Sequence, residues 1–153
     1  MEFRYSWDVS HDLSSVEIGM LITLIIVGVV FALGFYILNA IFMGKLFRKA
    51  GVPFWKAWVP IYNVIKFLQI GGQNPLYILF NLIPIVGTIV FYVFMCISAH
   101  NIDKKLGKDD VFLIIYIFFG IVWVGINGLD KSTWKDSRGV ASLAPETVKL
   151  KSK

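Results

Sequence analysis

Charge is the scarcest property of this sequence. Charged residues make up 16% of 153 positions, where a soluble domain carries about 25%. From Ile18 to Gly44 there is none at all. So few charges cannot cover a water-facing exterior, so much of the surface must meet lipid. Cysteine is nearly absent too. With Cys96 alone, no intramolecular disulfide can form and cysteine usage is silent about the redox compartment. The start of the chain also lacks the basic cluster of a secretory signal. Glu2, Asp8, Asp12 and Glu17 outnumber Arg4, and no small-residue cleavage site closes the apolar run that follows, which therefore reads as a retained helix.

What is present is hydrophobic length. Apolar residues are 57% of the chain and its mean hydropathy is +0.71. At about 1.5 Å per residue, Ile18–Gly44 extends about 40 Å, enough to cross a hydrocarbon core of about 30 Å. In lipid the backbone must satisfy its own hydrogen bonds, which selects helix even for the β-branched Ile25, Ile26, Val29 and Val30. Residues 75–102 form a second spanning run, broken near Pro84 and Gly87, and residues 111–129 a third. The fold class expected is an all-α integral membrane protein. Its three transmembrane helices occupy 18–44, 75–102 and 111–129, the middle one broken at Pro84.

Residues 50–73 differ in character. Lys56, Asn63, Lys66, Gln69 and Gln73 share one arc of a helical wheel, and Trp55 and Trp58 favour the headgroup zone. This is an amphipathic interfacial helix or a fourth spanning one, with Pro60 dividing or kinking it. Lys56, Lys66, Trp55 and Trp58 are its candidate headgroup contacts. Pro60-Ile61 and Pro84-Ile85 form an internal echo, each a proline pre-set for a first helical turn.

The domains expected are an acidic extracytoplasmic segment 1–17, a transmembrane domain 18–129 and a basic polar tail 130–153, disordered beyond about Gly139. Orientation follows the lysines and arginines. Lys45, Arg48, Lys49, Lys56 and Lys66 follow the first span with no acid among them, so the amino terminus lies outside and that segment inside. Three spans then leave the carboxyl tail cytoplasmic. A fourth would put it outside and make Asn101–Asp110 the inside loop.

A catalytic constellation is missing. There is no Gly-x-Ser-x-Gly turn, the spans hold only Ser98 as a serine, and no lysine lies within them to serve a Ser-Lys dyad. Asp103, Asp109, Asp110 and Asp130 fall in expected loops, leaving no intramembrane carboxylate for a proton relay. Cys96 and His100 stand four apart on a helix, a spacing that suits two metal ligands, but no further soft donor is available. No cofactor is implied. The net charge of +5 sits beside the spans, so its partner is anionic lipid rather than nucleic acid.

Other residues point to packing. Gly28 and Ala32 form a small-xxx-small pair that lets helices approach closely, most simply within the monomer. Asn39, Asn81 and Asn127 should face protein rather than lipid. Gly51-Val52-Pro53-Phe54-Trp55-Lys56-Ala57-Trp58-Val59-Pro60-Ile61-Tyr62-Asn63, Ile83-Pro84-Ile85-Val86, Leu106-Gly107-Lys108 and Gly128-Leu129-Asp130 occur in that order. From Ala50 to Asp136 this order resembles a family of small prokaryotic membrane proteins of unknown function, some labelled signal peptidase I. The family often repeats an asparagine in its second proline motif where this chain has Gly87. The resemblance implies a multi-pass protein of the prokaryotic cell membrane. It supplies no catalytic residue.

Together these features favour a non-enzymatic accessory or assembly subunit that packs against a membrane-protein partner or a second copy of itself. A small channel or transporter using the broken helix is the alternative, lined by Asn81, Thr88 and the Pro60–Asn63 turn. A third reading is an enzyme at the cytoplasmic face, with Lys56, Asn63 and Lys66 binding anionic groups.

Overall fold

The computed structural model describes residues 15–144, and among these every regular element is helical. The elements are α1 (Ser15–Lys49), α2 (Pro60–Ile70), α3 (Val86–Leu106), α4 (Val111–Phe118) and α5 (Gly120–Leu129). Short 3₁₀ segments cover Phe54–Ala57, Pro75–Leu82 and Asp136–Arg138. The expected segment 1–17 lies almost wholly outside the described residues.

Two helices, α1 and α3, are long and apolar enough to cross a membrane. The expected third span is not one continuous helix. Phe119 adopts φ −139° and ψ 59° ahead of Gly120, and this divides the run into α4 and α5. The hydrogen bonds Phe119 N–H to Ile115 O, 2.7 Å, and Trp123 N–H to Phe119 O, 3.0 Å, bridge the kink.

The chain divides into two compact units, one ending at Phe35 and the other beginning at Tyr36. The described part of the first is the amino-terminal stretch of α1. Its residues from Val16 to Phe35 are exposed. Phe31 is 78% exposed, and nothing lies within 4 Å of where a side chain on Gly28 would begin. Gly28 and Ala32 both lie on this exposed stretch of α1.

The second unit holds the hydrophobic core. Leu46, Phe47 and Ala50 of α1, Phe67 and Ile70 of α2, Ala99 and Ile102 of α3 and Trp123 of α5 meet there. Trp123 is fully buried. Its indole meets Phe67 and Tyr116 edge-on, at centroid distances of 6.0 and 5.1 Å. Such geometry sets the positive ring edge against the negative face.

Polarity along α3 is inverted relative to a soluble helix. Val86, Ile89, Tyr92, Val93 and Ile97 are exposed, whereas Ser98, Asn101, Asp103 and Lys105 are buried. An apolar exterior around a buried polar cluster is the arrangement that a hydrocarbon solvent favours.

Pro60 and Pro84 play different parts. Pro60 opens α2 at its first turn, where its missing N–H costs nothing. It separates α2 from the 3₁₀ turn Phe54–Ala57, so Pro60 divides residues 50–73 into two short elements, one of the two outcomes expected of it. Pro84 instead sits in the break before α3. Val86 N–H donates to Pro84 O at 2.8 Å, and Ile85 between them has φ 63° and ψ −73°. That is a γ-turn of the rare positive-φ kind, strained for a β-branched residue. The break lies where the sequence placed it, but the half before it is a 3₁₀ helix. The half after it continues past Ile102 to Leu106, and Gly107 at φ 76° closes it. The 6→1 hydrogen bond Lys108 N–H to Asp103 O, 2.9 Å, completes a Schellman cap there.

Two further expectations change. Asp103 belongs to α3, not to a loop. The tail does not lose its order at Gly139: Leu143 N–H donates to Gln69 O at 2.9 Å, and Ala144 is fully buried. Residues 145–153 lie outside the described residues.

Candidate functional site

Three polar clusters, two of them buried and the third partly so, occupy the carboxyl ends of α2, α3 and α5. In the first, Asp103 is 1% exposed. Trp123 Nε1 donates to both its carboxylate oxygens at 3.0 Å, and Asn127 Nδ2 donates to Oδ1 at 3.2 Å. Trp123 and Asn127 stand one helical turn apart, so α5 presents both donors on one face.

In the second, Lys105 is fully buried. Its Nζ donates to Ile70 O at 2.6 Å, pairs with Asp136 at 3.0 Å and lies 5.3 Å from the Trp134 ring centroid. Asp136 in turn accepts from Ser142 N–H at 3.2 Å. Nearby, Asn101 Nδ2 donates to Gly71 O at 2.9 Å. One turn of α3 thereby holds the end of α2 and the tail.

The third cluster centres on Asp130. Lys49 Nζ contacts one carboxylate oxygen, Lys108 Nζ lies 2.6 Å from the other, and Ser132 Oγ donates at 2.6 Å. Lys49 also donates to the carbonyls of Asn127 and Asp130, each at 2.7 Å. A cation at a helix carboxyl end satisfies orphan carbonyls and opposes the dipole. Burial pushes the Asp130 carboxyl upward, but hydrogen bonds from Lys108, Lys49 and Ser132 outweigh it and hold the group well below the usual carboxylate range.

In each cluster the carboxylate already accepts from donors of this chain. Among the described residues no group of three or more His, Cys, Asp and Glu side chains could hold a metal ion. Cys96 and His100 instead line an apolar pocket of about 370 Å³ with Tyr92, Leu113 and Ile117. His100 Nδ1 stands 3.7 Å from Asp110, and Tyr92 donates to Ile117 O at 3.1 Å, tying α3 to α4.

The residues singled out by sequence are not brought together. Trp55 and Trp58 are exposed, and Lys56 is half-buried with its Nζ 5.8 Å from the Trp55 ring. Lys66 is only 7% exposed, so its place in a lipid-facing stripe is corrected. The arc it shares with Asn63 faces inward by that point of α2. Asn63 Nδ2 donates to Ala57 O at 3.2 Å, holding the 3₁₀ turn to α2. Asn81 is exposed rather than facing protein, whereas Asn127 is fully buried as expected. Gly87 is buried, and a Cβ there would collide with the Phe80 carbonyl. That close approach gives a physical reason for glycine at this position.

Sequence reading missed Asp103, Lys105 and Lys108 because a charge after an apolar run reads as its end. Leu106-Gly107 carried the corrective signal, since a glycine just past a helical stretch marks its cap.

Among the described residues the fold is all-helical, with two helices long and apolar enough to cross a membrane and with polar clusters gathered at the carboxyl ends of α2, α3 and α5. The chain belongs to a family of unknown function, DUF5684, whose model matches residues 55–137. No curated protein and no solved structure matches it.

Proposed function

We propose that the protein is a multi-pass component of a prokaryotic cell membrane. It acts without catalysis, by packing α1 against a membrane-protein partner or a second copy of itself. The observation that carries this reading is the amino-terminal stretch of α1. It is apolar and exposed on every side from Val16 to Phe35, with Gly28 and Ala32 offering a close-approach face. The pairs Lys105 with Asp136 and Lys49 and Lys108 with Asp130 support the same reading, because they are committed to one another rather than to a pathway or substrate. In this reading α1, α3 and the kinked pair α4–α5 cross the bilayer, with the amino terminus outside and the tail in the cytoplasm. The excess of Lys45, Arg48 and Lys49 at the end of α1 supports that orientation.

The channel reading retains one supporting observation, the strained break at Ile85. Asn81 and Thr88 beside it are exposed rather than gathered around a polar cavity, which favours the packing role.

Extraction in mild detergent followed by crosslinking and mass spectrometry tests the proposal. The expected result is a discrete complex that Gly28→Leu disrupts while the protein stays folded. A strictly monomeric, partner-free protein would overturn it.

A further inference from the structure

We propose that an anionic phospholipid binds along the crossing of α1 and α5, its acyl chain in an apolar groove and its phosphate at the lysines around Asp130. The inference rests on the membrane placement argued above and not on the partner role. The groove, of about 610 Å³, is bounded by Phe42 on one side and by Val122, Gly125, Ile126 and Leu129 on the other, and ends at Asp130. Gly128 lets the helices cross closely: a Cβ there would stand 2.6 Å from Phe42 O and 3.4 Å from Lys45 Cβ. Lys45 therefore leaves α1 beside the polar end of the groove. Among the described residues it makes no ion pair.

Charge complementarity selects the occupant. Lys49 and Lys108 share a single carboxylate, Asp130, and Lys45, one helical turn before Lys49 on α1 and with its Cβ beside Gly128, adds a third cation to this end of the groove. The end of the groove is thus cationic while its walls are hydrocarbon. A phosphate diester with acyl chains matches both halves, whereas a zwitterionic lipid brings its own cation to a site already rich in them. A soluble phosphate leaves the groove unfilled.

The full chain, purified in mild detergent, is mixed with phosphatidylglycerol or with phosphatidylcholine of the same acyl chains. Retained lipid is then counted by native mass spectrometry. Wild type should prefer phosphatidylglycerol by about fivefold or more, the contribution of one lysine near a lipid surface. Lys45→Gln should remove about that factor and Lys45→Arg should keep it. Val122→Trp, which fills the groove from an exposed position, should lower retention of both lipids. Glycerol phosphate at the same concentration should not compete. Equal retention of the two lipids, an unaltered preference in Lys45→Gln or displacement by glycerol phosphate each overturns the site. Release of the protein from membranes by carbonate wash overturns the membrane placement together with the site. Firm membrane retention without lipid preference overturns the site alone.

Discussion

The indole Nε1 of Trp123 stands 3.0 Å from both carboxylate oxygens of Asp103, joining α5 to α3 through a charge that is 1% exposed. With Asn127 one turn further on, α5 supplies donors to a group that would otherwise be buried without compensation. A buried polar contact is thus also a helix-to-helix tie of the core.

Trp123→Phe keeps most of the ring's packing and removes the donor. Its expected cost is about 1–3 kcal/mol, the penalty of leaving a buried polar group under-satisfied. Trp123→Ala adds a cavity and should cost about 3–5 kcal/mol. Thermal unfolding in detergent, with helicity as the signal, checks the order. Equal midpoints for wild type and Trp123→Phe would show that the hydrogen bond contributes nothing.

Lys105 and Asp136 make the second test. Lys105→Met strands a carboxylate that is 13% exposed, and breaking a buried pair in this way costs about 3–5 kcal/mol. The double variant Lys105→Met with Asp136→Leu should be more stable than Lys105→Met alone, since no uncompensated charge remains. A double-mutant cycle with a coupling energy near zero would refute the pairing.

Asp130 predicts an acid limb. Its folded-state pKa lies below the unfolded value of about 3.9. Its stabilising contribution is therefore complete above that unfolded value and is lost as pH falls through the lower folded one. The midpoint of wild type should exceed that of Asp130→Asn by a constant margin at neutral pH. The margin should narrow on acidification below about pH 4. A margin independent of pH down to acid would mean that Lys49 and Lys108 do not stabilise the ionised form.

Ile85 carries backbone strain that glycine would relieve. At φ 63° the penalty for a β-branched residue is about 1–3 kcal/mol, and the side chain is 78% exposed. Ile85→Gly should therefore raise the unfolding midpoint or leave it unchanged. A marked fall would show that the side chain is held by a contact outside the chain.

Part of this was legible in the sequence and part was not, for physical reasons. Pro84 announced its break because proline has no N–H and constrains its predecessor, and Ile18–Gly44 announced a helix through length alone. The kink at Phe119 left no comparable mark, since Gly120 is only one glycine in an apolar run. Periodicity put Lys56, Asn63 and Lys66 on one arc, but it states which side chains share a face, not whether that face turns outward. Asp103 and Lys105 were hidden for a related reason. A charge ends an apolar run by composition, whereas a helix continues if partners elsewhere accept the charge. Those partners, Trp123 and Asp136, are distant along the chain. The tail likewise looked polar enough for disorder, yet Ser142 and Leu143 bond to Gln69.

The salt bridge between Lys105 and Asp136 also fixes an order of events during synthesis. Lys105 leaves the ribosome well before its counter-ion, and the interval contains all of α4 and α5. Until Asp136 follows, the lysine has the Ile70 carbonyl as an acceptor but no counter-ion, so its charge favours a hydrated end of α3. Closure of the bundle is thus deferred until translation reaches the tail, and a nascent chain halted before Asp136 should keep this end open to water.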